Sequence, residues 1–215
     1  MRVGPAAALL LCATGVIATA QARTPAQVAR IHRLQEGSPD ERRQAAGALG
    51  DAGDAAAVPA LIDALKDEDE AVQFIAERSL WAIWSRSGDP KTDALLQEGI
   101  HLAQSERLDE AIVKFDEVLK AAPQFAEGYN RRATAYYLMG QYERSIADCE
   151  GALKRNPQHF GALTGLGYNY YQLGKLEKAI GYLEQALAIN PNKPKVRSAL
   201  NELRQGLREK ARGSI

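Results

Sequence analysis

The chain has 215 residues, 46% hydrophobic and 25% charged, with 27 basic and 27 acidic side chains. This balance excludes the global positive field that draws a protein to nucleic acid or acidic lipid. Residues 23–90 carry eight basic and twelve acidic side chains and residues 91–215 eighteen and fifteen, so the charges read as solvated faces and not as binding tracts.

Arg2 precedes an uncharged run from Val3 to Ala20, most apolar over Ala6–Leu11, with small residues at Ala18, Ala20 and Ala22. The pattern predicts an export signal over 1–22, cleaved after Ala20 or Ala22. The alternative is an uncleaved membrane anchor, for which a run rich in Gly, Thr and Ala is a weak span. Leu11 in front of Cys12 argues against lipidation there. Once the signal is removed Cys149 is the sole cysteine, so packing without a disulfide must hold the fold.

Thr24-Pro25 predicts a helix start, with Thr as cap and Pro in the first turn. Val28, Ile31 and Leu34 then recur at helical spacing until Gly37. Over 38–86 an imperfect repeat follows. Its first copy runs through Ala45, Ala46, Ala48, Leu49 and Gly50, turns at Gly53-Asp54, and continues through Ala57, Val58, Pro59, Leu61, Ile62 and Leu65 to Asp67 and Asp69. These residues resemble HEAT repeats of the short, phycobilisome-lyase-like type. A shift of 31 residues overlays Ala48-Leu49 on Ser79-Leu80, but that second copy carries Phe74, Trp81 and Trp84 and shows no clear second helix, so it reads as a junction. Trp81 and Trp84 share one helical face. They are expected to fill the joint between the two arrays; the alternative is an exposed hot spot for a partner.

Pro123, Pro157 and Pro191 fall 34 residues apart, and Gly140 and Gly174 precede the last two by 17. Such a period implies stacked units, each too small to bury its own apolar face. In the last unit the skeleton is Leu163, Leu166, Gly167, Tyr170, Gly174, Leu176, Ala179, Leu183, Ala186 and Pro191. The middle unit supplies Tyr129, Ala133, Tyr136, Gly140, Tyr142, Ala152 and Pro157. Leu95, Gly99, Leu102, Leu108, Ala111, Phe115 and Pro123 form the first, with Glu106 where the turn glycine belongs. The segment 92–193 resembles three tetratricopeptide repeats, each a pair of antiparallel helices A and B. Val196, Leu200, Leu203 and Leu207 then mark one stripe of a polar closing helix over 194–211. The expected fold is an all-α, right-handed α-solenoid of stacked helix pairs, HEAT-like over 24–90 and tetratricopeptide over 92–193, with a capping helix.

No constellation for catalysis emerges. Asp67-Glu68-Asp69-Glu70 reads as a helix-start cluster; Gly161, Gly165 and Gly167 lack the preceding strand of a phosphate loop; Cys149 occupies a core position. Some HEAT relatives hold iron through His-Glu pairs, but His32, His101 and His159 precede Arg33, Leu102 and Phe160. No catalytic, cofactor-binding or metal residue is therefore expected.

The family resemblance implies a concave groove lined by helix A. Mapped from the prolines, its partner-binding residues are Leu96, Ile100, Asn130, Thr134, Tyr137, Thr164, Tyr168 and Tyr171. Asn130 offers hydrogen bonds and the tyrosines rigid contact area, although each tyrosine has the alternative of packing against a neighbouring repeat. Repeats that clamp the C-terminal carboxylate of heat-shock chaperones need Lys, Arg and Asn where this chain has Leu96, Ile100, Asn130, Gly161 and Gly165, so a free carboxylate is not the expected ligand. The expected function is an exported, non-catalytic scaffold or adaptor with a protein or peptide partner. It makes no contact with nucleic acid, and touches a membrane only if the N-terminal segment stays on. In a Gram-negative bacterium it would be periplasmic, otherwise secreted. The alternative is an assembly or secretion accessory factor of envelope machinery.

Overall fold

The computed structural model describes residues 24–53 and 55–212; the signal-like segment and Asp54 lie outside them. These residues form eleven α-helices and one 3-10 turn at Ala55–Ala57, with no strand among them. The first four helices are α1 (Pro25–Glu36), α2 (Pro39–Ala52), α3 (Val58–Ala64) and α4 (Glu70–Trp84). Three hairpins follow: α5 (Pro90–Gln104) with α6 (Leu108–Ala121), α7 (Ala126–Leu138) with α8 (Tyr142–Arg155), and α9 (Phe160–Gln172) with α10 (Leu176–Ile189). A long α11 (Pro194–Arg212) closes the order.

Local chemistry sets these boundaries. The Thr24 hydroxyl accepts the Gln27 amide while the Gln27 side chain accepts the Thr24 amide, a capping box that starts α1. Asp69 accepts the Ala71 and Val72 amides at the start of α4, and Asp89 accepts that of Thr92 at the start of α5. The acidic run is thus a helix start, and it is also paired: Asp67 meets Arg42 at 2.9 Å and Asp69 meets Arg43. Arg43 and the α4 amides hold Asp69 below the usual carboxylate range. Gly140 and Gly174 turn the second and third hairpins with φ of 72° and 69°; Glu106 takes the same left-handed turn at φ 59°. Of the first helix's apolar positions, Ile31 and Leu34 are buried while Val28 points outward.

Within the first and third hairpins a glycine admits a large side chain. A Cβ on Gly99 would stand 2.5 Å from the Phe115 ring, and one on Gly167 would stand 2.4 Å from Leu183. Close approach of this kind lets two helices interlock and buries Phe115 and Leu183 almost completely. The resulting core has three parts: one under α1–α4, one within α5–α7, and one running from α7 to α11. Val196, Leu200 and Leu203 bury the α11 stripe against the last hairpin.

Trp81 and Trp84 fill a joint between the two arrays. They reach the start of α9, more than seventy residues on, where Trp81 meets Phe160 edge-on at 5.2 Å and Trp84 stacks on His159 at 4.9 Å. Polar contacts continue this seam. Glu77 binds Lys193 and accepts from Asn190 Nδ2 at 3.0 Å, and Asn192 Nδ2 donates to the Leu65 carbonyl at 2.5 Å. The array curves back on itself, so α4 faces the third hairpin across the inner side. Phe160 belongs to the core under α1–α4 for that reason.

Candidate functional site

The inner face is built from α5, α7 and α9, and the structure divides it into a covered end and an open end. The covered end centres on Glu127, at the start of α7 and wholly buried. One carboxylate oxygen, Oε2, accepts from Asn130 Nδ2 at 3.0 Å and lies 2.9 Å from His159 Nε2; the other accepts from Arg131 Nε at 2.5 Å. His159 caps α9, its Nδ1 accepting the Ala162 amide at 3.1 Å. That bond places the imidazole proton on Nε2, so a neutral His159 donates to Glu127. Above the cluster lie the indoles: Arg131 sits 5.7 Å from the Trp81 ring centre, and a Cβ on Gly161 would stand 2.7 Å from Trp81 Cη2. A buried carboxylate is tolerable only with such partners around it.

The open end lies at the other ends of α7 and α9. Two adjoining cavities share Tyr137 and Tyr168 in their walls. One, of about 390 Å³, lies between α7, α9 and α11 and includes Tyr171, Leu176, Leu203 and Gly206. The other, of about 320 Å³, lies between α7, α8 and α9 and includes Asn130, Thr134, Leu138, Thr164 and Asn169. Gln172 Nε2 donates to the Tyr137 hydroxyl at 3.2 Å across the two helices. Burial raises the Tyr168 hydroxyl above its ordinary pKa, helped by Tyr137. Tyr171 and Leu138 stand 49% and 58% exposed, an apolar surface that no helix among the described residues covers.

Six of the eight residues expected from the sequence therefore line the open cavities: Asn130, Thr134, Tyr137, Thr164, Tyr168 and Tyr171. Leu96 is a correction. It is fully buried in the α5–α7 core beside Phe115 and Val118, because an apolar side chain there gains more by filling the hairpin than by facing the groove. Ile100 is partly buried against the same cluster and lines neither cavity. Asn130 is only 7% exposed and its amide nitrogen is engaged by Glu127 instead of offered to a peptide backbone. The Thr134 and Thr164 hydroxyls bond back to the carbonyls of Asn130 and Phe160, so both residues present mainly their methyl groups. Sequence reasoning missed the Glu127–His159 pair; Glu127 falls at the inward register, but nothing local marks His159 as its partner.

Stacked antiparallel hairpins with a glycine-interlocked core and a concave inner face define an all-helical repeat protein. Residues 28–114 match the family model for HEAT repeats, and residues 96–150 and 130–194 match that for the tetratricopeptide repeat. The chain thus carries HEAT repeats followed by tetratricopeptide repeats, and the two matches overlap over 96–114, within the α5–α6 hairpin. It is 33% identical over 88 residues to a TPR repeat-containing protein of Rhizobium etli, covering 41% of this chain and 42% of that protein. It is 44% identical over 59 residues to Tetratricopeptide repeat protein 36 of Caenorhabditis elegans, covering 27% and 33%. The chain spans less than half the length of these relatives. Among solved structures, the first TPR of Spaghetti (RPAP3), bound to an HSP90 peptide, superposes with a TM-score of 0.53 at 26% identity, covering 54% of this chain and 93% of that one. The Sgt2 TPR domain from Aspergillus fumigatus superposes with a TM-score of 0.56 at 24% identity, covering 59% and 85%.

Proposed function

We propose that this protein is a non-catalytic adaptor that holds a segment of a partner protein on the open end of its inner face. The observation that carries the reading is the pair of adjoining cavities sharing Tyr137 and Tyr168, lined by six of the eight expected groove residues. Tyrosines with few rotatable bonds present large contact area at small entropic cost, which suits recognition of a peptide. The superposable Spaghetti domain binds an HSP90 peptide, which supports a peptide ligand in kind. It does not support the same peptide. Leu96 is buried, Gly161 lies under Trp81, and neither cavity has a basic residue in its wall.

Export is the second part of the reading, supported by the uncharged run and small residues at the N-terminus. Cell fractionation with N-terminal sequencing tests it: a mature start at Gln21 or Arg23 upholds export, and an intact Met1 in the cytoplasmic fraction removes it. For the adaptor, the test is an affinity capture from native envelope extract with the chain from Gln21 onward, beside a Tyr137/Tyr168/Tyr171→Ala variant. A partner held by the first and lost by the second supports the reading. Equal recovery by both moves the binding site to α1–α4.

A further inference from the structure

The walls of the two cavities at the open end are nearly free of formal charge. Among the residues that line its two cavities, the only charged side chain is Glu202 of α11. Its carboxylate accepts from Ser198 Oγ at 3.0 Å and meets no cation among the described residues. The neighbouring Arg204 is already paired with Glu184 at 2.6 Å. One helical turn beyond Glu202, on the same face, Gly206 leaves the cavity wall bare, with nothing within 4 Å of where its Cβ would lie. Glycine weakens a helix interior relative to alanine, yet here it keeps the space beneath Tyr168 and Tyr171 open.

We propose that the open end takes a partner segment whose apolar side chain enters the cavity between α9 and α11, next to a Lys or Arg that meets Glu202. This rests on the adaptor reading and specifies the chemistry of its partner. An acidic segment would bring like charge to Glu202 and find no cation in the wall to balance it. A basic segment gains a carboxylate that meets no cation among the described residues, at the solvent-exposed rim of an apolar cavity. Selection by charge sits on one residue, while the apolar walls supply contact area without sign.

The test uses fluorescence anisotropy with three labelled synthetic peptides that share one apolar pattern and differ only in flanking Lys/Arg, Asp/Glu or Gln residues. The chain should bind the basic peptide about fivefold tighter than the neutral one. Glu202→Gln should erase that margin, and Glu202→Lys should pass it to the acidic peptide. Gly206→Leu, whose Cβ meets nothing, should abolish binding of all three by filling the cavity. Equal binding of basic and acidic peptides, or a basic preference that survives Glu202→Gln, overturns the charge proposal. If that equal binding is lost in Gly206→Leu, the groove reading stands alone; if it survives Gly206→Leu, the groove reading falls too. Binding of none of the three also overturns the proposal, and the capture experiment with the tyrosine variant then decides the groove separately.

Discussion

Trp84 lies flat on His159, with 4.9 Å between ring centroids and 22° between planes. This contact ties the last HEAT helix to the third tetratricopeptide hairpin and closes one end of the inner face. The indole covers a histidine whose two nitrogens are both committed, one to the start of α9 and one to Glu127. The seam therefore joins apolar cover, a helix cap and a buried acid in one place.

Trp84→Ala should loosen this seam. Removing a half-buried indole from a packed joint costs about 3 kcal/mol, read as a lower urea midpoint. Hydrogen exchange should rise at the start of α9 and in α4 together, and stay unchanged in α11. Faster exchange in α4 alone would show that the two halves do not support one another.

Glu127→Ala should be more damaging than Glu127→Gln. Alanine leaves the His159 N–H and the Arg131 guanidinium facing a buried gap, a loss of about 3 kcal/mol. Glutamine keeps one acceptor, for His159 and Asn130, and gives up the charge and the acceptor for Arg131. Urea denaturation of both variants checks the order, and equal small losses would mean that the pair adds nothing to the joint.

Glu106→Gly should stabilise the chain. Glu106 holds φ at 59°, in a region that strains a residue with a Cβ, at the turn where the other hairpins have Gly140 and Gly174. Relief of that strain, less the greater freedom of glycine in the unfolded chain, leaves a gain of about 0.5–1 kcal/mol. An unchanged or lower thermal midpoint would contradict this.

Cys149 should resist thiol reagents in the folded chain. Burial pushes its thiol from the ordinary 9.0 up to about 12, with a hydrogen bond to Ser145 opposing the shift. The folded state thus holds its proton over a range where the unfolded chain has released it. The associated stability is complete below pH 9 and is lost as pH rises from there toward 12. Colorimetric thiol titration at pH 8 should show reaction only after urea unfolds the protein; rapid modification of the native chain would contradict the buried assignment.

Much of this architecture was legible in the residues. The spacing of Pro123, Pro157 and Pro191 sets the hairpins, and Gly167 is small because Leu183 needs its place. Tyr137, Tyr168 and Tyr171 were placed on the inner face by the resemblance to tetratricopeptide repeats, mapped from the prolines, and they line its cavities. Leu96 was misassigned because register alone does not say whether an apolar residue faces a groove or the hairpin interior behind Gly99. The tryptophans were expected between the two arrays, but their partners His159 and Phe160 were not readable. Trp81 and His159 are brought together by the curvature of the whole array, and curvature accumulates from small rotations between hairpins that no local pattern records.

The central claim is that partners engage the tyrosine end of the inner face while α4 covers the other end. Hydrogen exchange of the chain, alone and saturated with its captured partner, tests it most directly. The account predicts new protection in the second halves of α7 and α9 and in α11, with α1 to α4 unchanged. Protection confined to α1–α4, with no change around Tyr137, Tyr168 and Tyr171, would contradict it.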